Sequence, residues 1–257
     1  MKVVILAGGF GTRISEESTV RPKPLVEVGG RPILWHIMKI YSHYGLTDFI
    51  ICGGYKCNML KSYFQEFMFA ESDVTFDLRS NHVHVHHRTC EPWNVTVIDT
   101  GLKTMTGGRL KRVQPQLNGE PFCMTYGDGV ADIDIRALLE CHRRAGALAT
   151  VTAVSPPGRF GVLSIDPDTS RVTAFREKAK RDVAAINGGF FVLEPAVFDY
   201  IAGDDTIWEQ EPLETLTREG KLAAYSHTSF WQNMDTLRDR AVLEQLWDED
   251  RAPWKIW

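Results

Sequence analysis

Long apolar runs are missing from this 257-residue chain. A membrane span needs about 18 or more consecutive apolar residues, and no stretch comes near that, so no membrane anchor is expected. The opening MKVVILAGG has one lysine and a short apolar run that stops at Gly8-Gly9, too brief for the core of a secretion signal. A basic excess is missing too. Lys and Arg number 29 against 33 Asp and Glu, a formal charge of −4, which argues against a dedicated nucleic-acid binder but not against a local phosphate site. Cysteines are few and odd in number (Cys52, Cys57, Cys90, Cys123, Cys141), without a Cys-X-X-Cys spacing. Free buried thiols in a reducing compartment follow, and a cytoplasmic location is expected. Internal repeats and low-complexity tracts are absent as well. What is present, 44% hydrophobic and 24% charged residues, lies in the globular range, and the length suffices for a sizeable core.

Strand and helix patterns alternate along the first 155 residues. Val3 to Leu6 is a continuous apolar run of the kind found in a strand covered on both faces. Pro32 to Tyr44 is predicted helical, with Ile33, Ile37, Ile40 and Tyr44 at helical spacing. Asp48 to Cys52 is a strand. Asn58 to Phe69 is a helix with Leu60, Tyr63, Phe64 and Phe67 inward. Short strands are expected at Val74 to Asp77, His82 to His87 and Thr96 to Asp99, and a helix at Gly107 to Val113. Phe122 to Tyr126 is a strand ending in Gly127-Asp128-Gly129, followed by a helix over Ile133 to Ala145 and a strand over Ala149 to Val154. This alternation predicts a mostly parallel α/β sheet. After Pro156-Pro157-Gly158 the rhythm changes. Gly161 to Asp166 and Arg171 to Glu177 alternate like a hairpin, and Ala185 to Leu193 is another strand. Phe198 to Ile201, Pro212 to Arg218 and Thr236 to Trp247 are helix candidates. No linker separates the parts. A single α/β domain over 1–257 is expected, with a first part at 1–155 and a smaller substrate-side subregion at 156–257.

The strongest chemical signal is Leu6-Ala7-Gly8-Gly9-Phe10-Gly11-Thr12-Arg13. A strand running into Gly8, Gly9 and Gly11 lets backbone N–H groups close on an anion, and Arg13 adds a fork of donors. The spacing is neither the dinucleotide G-x-G-x-x-G nor the P-loop, since no Gly-Lys-[Ser/Thr] follows. Lys23 lies between Pro22 and Pro24, which restrict the backbone and hold its side chain on an extended loop. A lysine so fixed, ten residues after Arg13, suits a second phosphate contact. Together these residues favour a phosphate site over a turn that serves packing alone.

GGFGTR followed by RPKPLVEVGGRPIL resembles the signature of the sugar-nucleotide pyrophosphorylases. Further on, HHRTCEPWNVTVIDTG, MTGGRLKRV, YGDGVADIDI, PPGRFGVL, INGGFFVLEP, WEQEPL, FWQNMDTLRD and APWKIW resemble the cytidylyl branch of that family. The resemblance runs from Met1 to Trp257. It implies a Rossmann-like, mostly parallel mixed sheet flanked by helices, the nucleotide-diphospho-sugar transferase fold, with a smaller sugar-side β subregion. It implies a nucleotidyltransferase joining CTP and α-D-glucose 1-phosphate into CDP-glucose and pyrophosphate, in the supply of dideoxysugars for surface polysaccharide. Mg²⁺ is the implied cofactor, and a homo-oligomer, with a hexamer among the options, the implied assembly. No nucleic-acid or membrane partner is expected.

The resemblance also distributes roles. Residues Leu6, Ala7, Gly8, Gly9, Phe10, Gly11, Thr12 and Arg13 would bind the nucleotide, with Arg13, Lys23 and Asp128 acting on the reacting phosphates. Asp128 sits in a Gly-Asp-Gly turn after a strand, where open α/β sheets place ligands, and a carboxylate there suits Mg²⁺. Asp235 precedes a helix and reads locally as an N-cap or first-turn acid; the resemblance makes it the second metal carboxylate. Asp132 and Asp134 read as acids at the start of a helix. Cytosine presents O2 and N3 as acceptors, which a donor-only arginine can favour over uracil or thymine; the resemblance puts Thr104 and Arg109 at the base. Gly161, Glu177, Lys178, Asn187 and Gly188 would meet the sugar phosphate. At Glu177-Lys178 the family often continues with Pro, whereas Ala179 stands here. The alternating His82, His84 and His86 with His87 tempt a zinc reading, but no cysteine pairs accompany them and zinc is not expected. Trp208, Trp231, Trp247, Trp254 and Trp257 are expected in the core or at a subunit contact.

Overall fold

The computed structural model describes residues 1–88, 90–155, 162–165, 171–176 and 185–257. The first half runs β1 (Val3–Ala7), a short helix α1 (Ser15–Ser18), a 3-10 turn at Lys23–Leu25, the short strands β2 (Glu27–Val28) and β3 (Arg31–Pro32), α2 (Ile33–His43), β4 (Asp48–Gly53) and α3 (Cys57–Ala70). It continues through β5 (Ser72–Asp77), β6 (His82–Arg88), β7 (Asn94–Asp99), α4 (Thr106–Val113), β8 (Phe122–Tyr126), β9 (Gly129–Ala131), α5 (Ile135–Ala145) and β10 (Ala149–Val154). The second half adds β11 (Val162–Ile165), β12 (Val172–Arg176), β13 (Ile186–Leu193), α6 (Glu211–Arg218), β14 (Leu222–His227), β15 (Trp231–Asn233) and α7 (Leu237–Asp248).

Seven strands form one sheet in the order β14-β10-β13-β8-β1-β4-β7. Its pairs are parallel except those made by β13, which runs antiparallel to β8 and to β10. The chain moves outward from β1 through β4 to β7, then returns to place β8 on the other flank of β1. That reversal opens a crevice at the carboxyl ends of β1 and β8, where such sheets bind ligands. Strand alternation divides the core. Val3, Ile5 and Ala7 join α2 residues such as Ile37 and Tyr41, whereas Val4 and Leu6 join Leu110, Val113 and Trp208 on the opposite face. Each fully buried aliphatic side chain there contributes about 1.5–3 kcal/mol.

Several expectations shift at their edges. The helix foreseen from Ile133 starts at Ile135, because Asp134 stays extended and caps it by accepting from the N–H groups of Arg136 and Ala137. The helix expected at Phe198 to Ile201 is instead a 3-10 helix at Pro195–Tyr200, with Ile201 extended just after it. The expected hairpin forms as the antiparallel pair β11–β12, its turn lying outside the described residues. Strands β9, β14 and β15 were not foreseen. The β9–β15 pair sets Gly129 opposite Asn233 and so brings the two acidic turns together.

The C-terminal aromatics pack on their own chain. Trp254 is fully buried, stacks on Phe230 and Trp247, and points its indole N–H at His36 Nδ1. Among the described residues, no helix is long and apolar enough to cross a membrane.

Candidate functional site

The crevice is a cleft of about 980 Å³. Leu6 to Arg13, Lys23, Thr104, Arg109, Asp128, Asn187, Gly188 and Asp235 all line it. Gly161, Glu177 and Lys178 lie outside the described residues.

The glycine loop is shaped by what lies beneath it. A Cβ on Gly8 would sit 2.1 Å from Arg109 Nη1 and would push the guanidinium aside, and Gly11 holds φ +66°, a conformation that favours glycine. Arg109, on α4, is 5% exposed. Its guanidinium donates to the Gly8 carbonyl at 3.1 Å, the Gly53 carbonyl at 3.1 Å, the Gly101 carbonyl at 2.8 Å and Thr100 Oγ1 at 2.7 Å. One arginine therefore ties together the loops after β1, β4 and β7. Burial pulls its pKa below the ordinary arginine value.

Lys23 reaches the floor of the cleft from the Lys23–Leu25 turn, whose Pro24 and Leu25 are buried. Its Nζ donates to Asp128 Oδ2 at 2.7 Å and to Asp235 Oδ1 at 2.6 Å. Arg13 Nη1 donates to Asp235 Oδ2 at 2.7 Å, and Asn233 Nδ2 donates to the same oxygen at 2.6 Å. Burial alone would depress the Lys23 pKa; the two carboxylates outweigh it and hold the ammonium above its usual value. Burial likewise would raise Asp235, yet Lys23 and Arg13 keep it below the ordinary range.

Asp235 is not the cap of α7. Thr236 fills that place, accepting from the Asp239 N–H while Asp239 answers through a capping box. The Asp235 carboxylate is thereby left to the cleft. Asp132 differs from its expected place at the start of a helix: it meets His227 at 3.1 Å and accepts from Ser229 Oγ. The histidine strand β6 pairs with β5 in an exposed ribbon, with the His82 and His84 rings 6.4 Å apart.

Cleft residues that sequence reasoning missed include Tyr126, Thr106, Glu209 and Trp231. Tyr126 ends β8 just before Gly127-Asp128, and the rule about strand carboxyl ends points to it. Glu209 carries no such signal, because it approaches from a distant turn.

Two carboxylates converge on one ammonium beside a glycine-rich loop, at the switch point of a mostly parallel sheet. This arrangement defines an α/β protein with a charged cleft at the place where open sheets bind ligands. The chain belongs to the nucleotidyl transferase family, whose pattern matches residues 2–236. It is 58% identical over 258 residues to the glucose-1-phosphate cytidylyltransferase of Salmonella typhi, covering 100% of both chains. It is 42% identical to a probable glucose-1-phosphate cytidylyltransferase of Bacillus subtilis, again over 100% of both. Among solved structures, HddC from Yersinia pseudotuberculosis superposes with a TM-score of 0.70 at 23% identity, over 96% of this chain and 99% of that one, a likeness of fold.

Proposed function

We propose that this protein joins CTP to α-D-glucose 1-phosphate, releasing pyrophosphate and forming CDP-glucose. The observation that carries the reading is the full-length likeness to the Salmonella typhi cytidylyltransferase. The convergence of Arg13, Lys23, Asp128 and Asp235 in one cleft supports it.

A phosphate oxygen of the sugar phosphate attacks the α-phosphorus of CTP, and pyrophosphate leaves in line. Such a transfer needs alignment and charge stabilisation more than covalent help. The amides of the glycine loop and Arg13 hold the triphosphate. Lys23 turns from the carboxylates toward the reacting phosphates. Asp128 and Asp235 fit a divalent cation: both are hard oxygen donors, and both already converge on a single positive charge, Lys23 Nζ. When bound there with phosphate oxygens, Mg²⁺ supplies neutralisation of charge on the leaving group.

Arg109 serves the base from the wall. Four of its contacts hold backbone and Thr100 through Nη1 and Nη2. Among the described residues, Nε–H and one Nη2–H keep no protein acceptor. That pair of donors matches cytosine O2 and N3, whereas the N3–H of uracil opposes it. Thr104 flanks the same wall. The sugar lies against Asn187 and Gly188, with Gly161, Glu177 and Lys178 assigned to its phosphate and hydroxyls. The protein works in the cytoplasm as a homo-oligomer.

The test is product formation. Incubation with CTP, glucose 1-phosphate and Mg²⁺ should release stoichiometric pyrophosphate and give a nucleotide-sugar diphosphate by phosphorus NMR. CTP binding without any product would overturn the reading in favour of a nucleotide sensor.

A further inference from the structure

One wall of the cleft carries a polar network of which the reading above uses only Asn187. Tyr126, the last residue of β8, donates its hydroxyl hydrogen to Glu209 Oε1 at 2.5 Å. Thr106, the first residue of α4, donates to Glu209 Oε2 at 2.6 Å and accepts from the Trp208 N–H at 2.9 Å. Asn187 Nδ2 donates to the Tyr126 oxygen at 3.1 Å, while Asn187 Oδ1 is held by the Gly189 N–H at 2.8 Å. All four side chains line the cleft.

Counting donors and acceptors shows what this wall can recognise. The hydrogens of Tyr126 and Thr106 are both committed to Glu209. A carboxylate offers about four acceptor positions, of which these bonds use two. Tyr126 keeps one lone pair after accepting from Asn187. Burial first, and the neighbouring Glu209 charge second, raise the Tyr126 pKa above the usual tyrosine value, so the phenol stays protonated and the pattern is fixed. The spare capacity of Glu209 and Tyr126 is therefore acceptor capacity beside a negative charge. Such a surface repels phosphate and welcomes hydroxyl donors. It is joined through Asn187 to the part of the cleft assigned to the sugar.

We propose that Glu209 is a specificity-determining residue for the sugar, its carboxylate accepting hydrogen bonds from one or two ring hydroxyls. Thr106 and Tyr126 hold that carboxylate in a single orientation from two different elements, α4 and β8. A site built to receive a particular hydroxyl discriminates against the analogue that lacks it, because the half-buried Glu209 carboxylate then loses one of its donors. This inference rests on the reading of the cleft as a sugar 1-phosphate site.

The experiment compares wild type and Glu209→Gln, both with Mg²⁺ and CTP, on glucose 1-phosphate and its 2-, 3-, 4- and 6-deoxy analogues. Wild type should lose at least about tenfold in kcat/KM with one or two of the analogues. Glu209→Gln should raise KM for glucose 1-phosphate by a similar factor, leave KM for CTP within about twofold, and treat those analogues and the parent sugar alike. Retained discrimination in the variant, or an equal rise in KM for both substrates, would overturn the proposal. If Glu209→Gln does not fold, Glu209→Asp, which keeps the charge but withdraws it from the hydroxyl, is read by the same two criteria. Wild-type turnover with normal discrimination in the variant sinks this inference alone. Absence of wild-type turnover with glucose 1-phosphate sinks the underlying reading as well.

Discussion

Two cations face the same cleft from opposite regions, and they are held in opposite ways. Arg109, in the wall, is almost wholly buried and bonded mainly to backbone carbonyls. Lys23, on the floor, is bonded to two partly exposed carboxylates. Carbonyls of three loops cannot move without unmaking the fold, so the Arg109 contacts are permanent. The Lys23 contacts are exchangeable, because a divalent cation can take the carboxylates while phosphate takes the ammonium. The partners, more than the charge, separate a cation fixed by backbone from one held by side chains.

Substitutions can break or sharpen that contrast. The largest effect is expected at Lys23: Lys23→Ala should lower kcat on the order of 10²–10³-fold while leaving the melting temperature nearly unchanged. A drop in stability matching that at Arg109 would erase the distinction. Asp235→Asn should follow, lowering turnover on the order of 10²-fold and shifting the Mg²⁺ titration to higher concentration with the fold intact by circular dichroism. Wild-type turnover in that variant would leave Asp235 a bystander. Arg109→Ala should instead cost about 1–3 kcal/mol in urea unfolding, since it removes the guanidinium bonds to the Gly8, Gly53 and Gly101 carbonyls and to Thr100 Oγ1, although Gly8 still accepts from the Tyr55 N–H and Gly53 from Thr100, and should collapse the preference for CTP over UTP. A variant that keeps the full preference removes Arg109 from base recognition.

The last effect lies outside the cleft, does not touch turnover directly, and depends on conditions. His36 is buried, bonded through Nε2 to the Val28 carbonyl and approached at Nδ1 by the Trp254 N–H. Burial lowers its pKa to about 4, so the folded protein holds it neutral. The unfolded chain takes up a proton near pH 6.5 and the folded one resists until about pH 4. Stability should therefore be full above about pH 6.5 and fall as pH drops toward 4, by at most about 3 kcal/mol. Urea titrations at pH 7 and pH 5 on wild type and His36→Gln measure it. An identical pH dependence in both would assign the acid sensitivity elsewhere.

Much of the parallel half was legible in the sequence. Strands β8 and β10 keep their expected bounds, and β1 follows the continuous apolar run at Val3 to Leu6, because a parallel strand buried on both faces leaves an uninterrupted hydrophobic signal. The glycine loop, Lys23 and Asp128 were legible as well, since tight backbone approach and proline-restricted loops write themselves into local composition. Asp235 was ambiguous from its neighbours alone, and only the capping box of Thr236 and Asp239 shows that its carboxylate is free for the cleft. The short strands β9 and β15 were not legible. Their signal is two or three residues of pairing that depends on the partner turn. The link between Tyr126 and Glu209 was equally hidden, because it joins positions 83 residues apart without a periodic pattern.

The most direct measurement is pyrophosphate release with glucose 1-phosphate, offering CTP, UTP, dTTP, ATP and GTP separately, with and without Mg²⁺. The expected result is rapid, Mg²⁺-dependent release with CTP and little with the others. Release with UTP or dTTP equal to that with CTP would contradict the base assignment, and release with none of the five would contradict the proposed reaction itself.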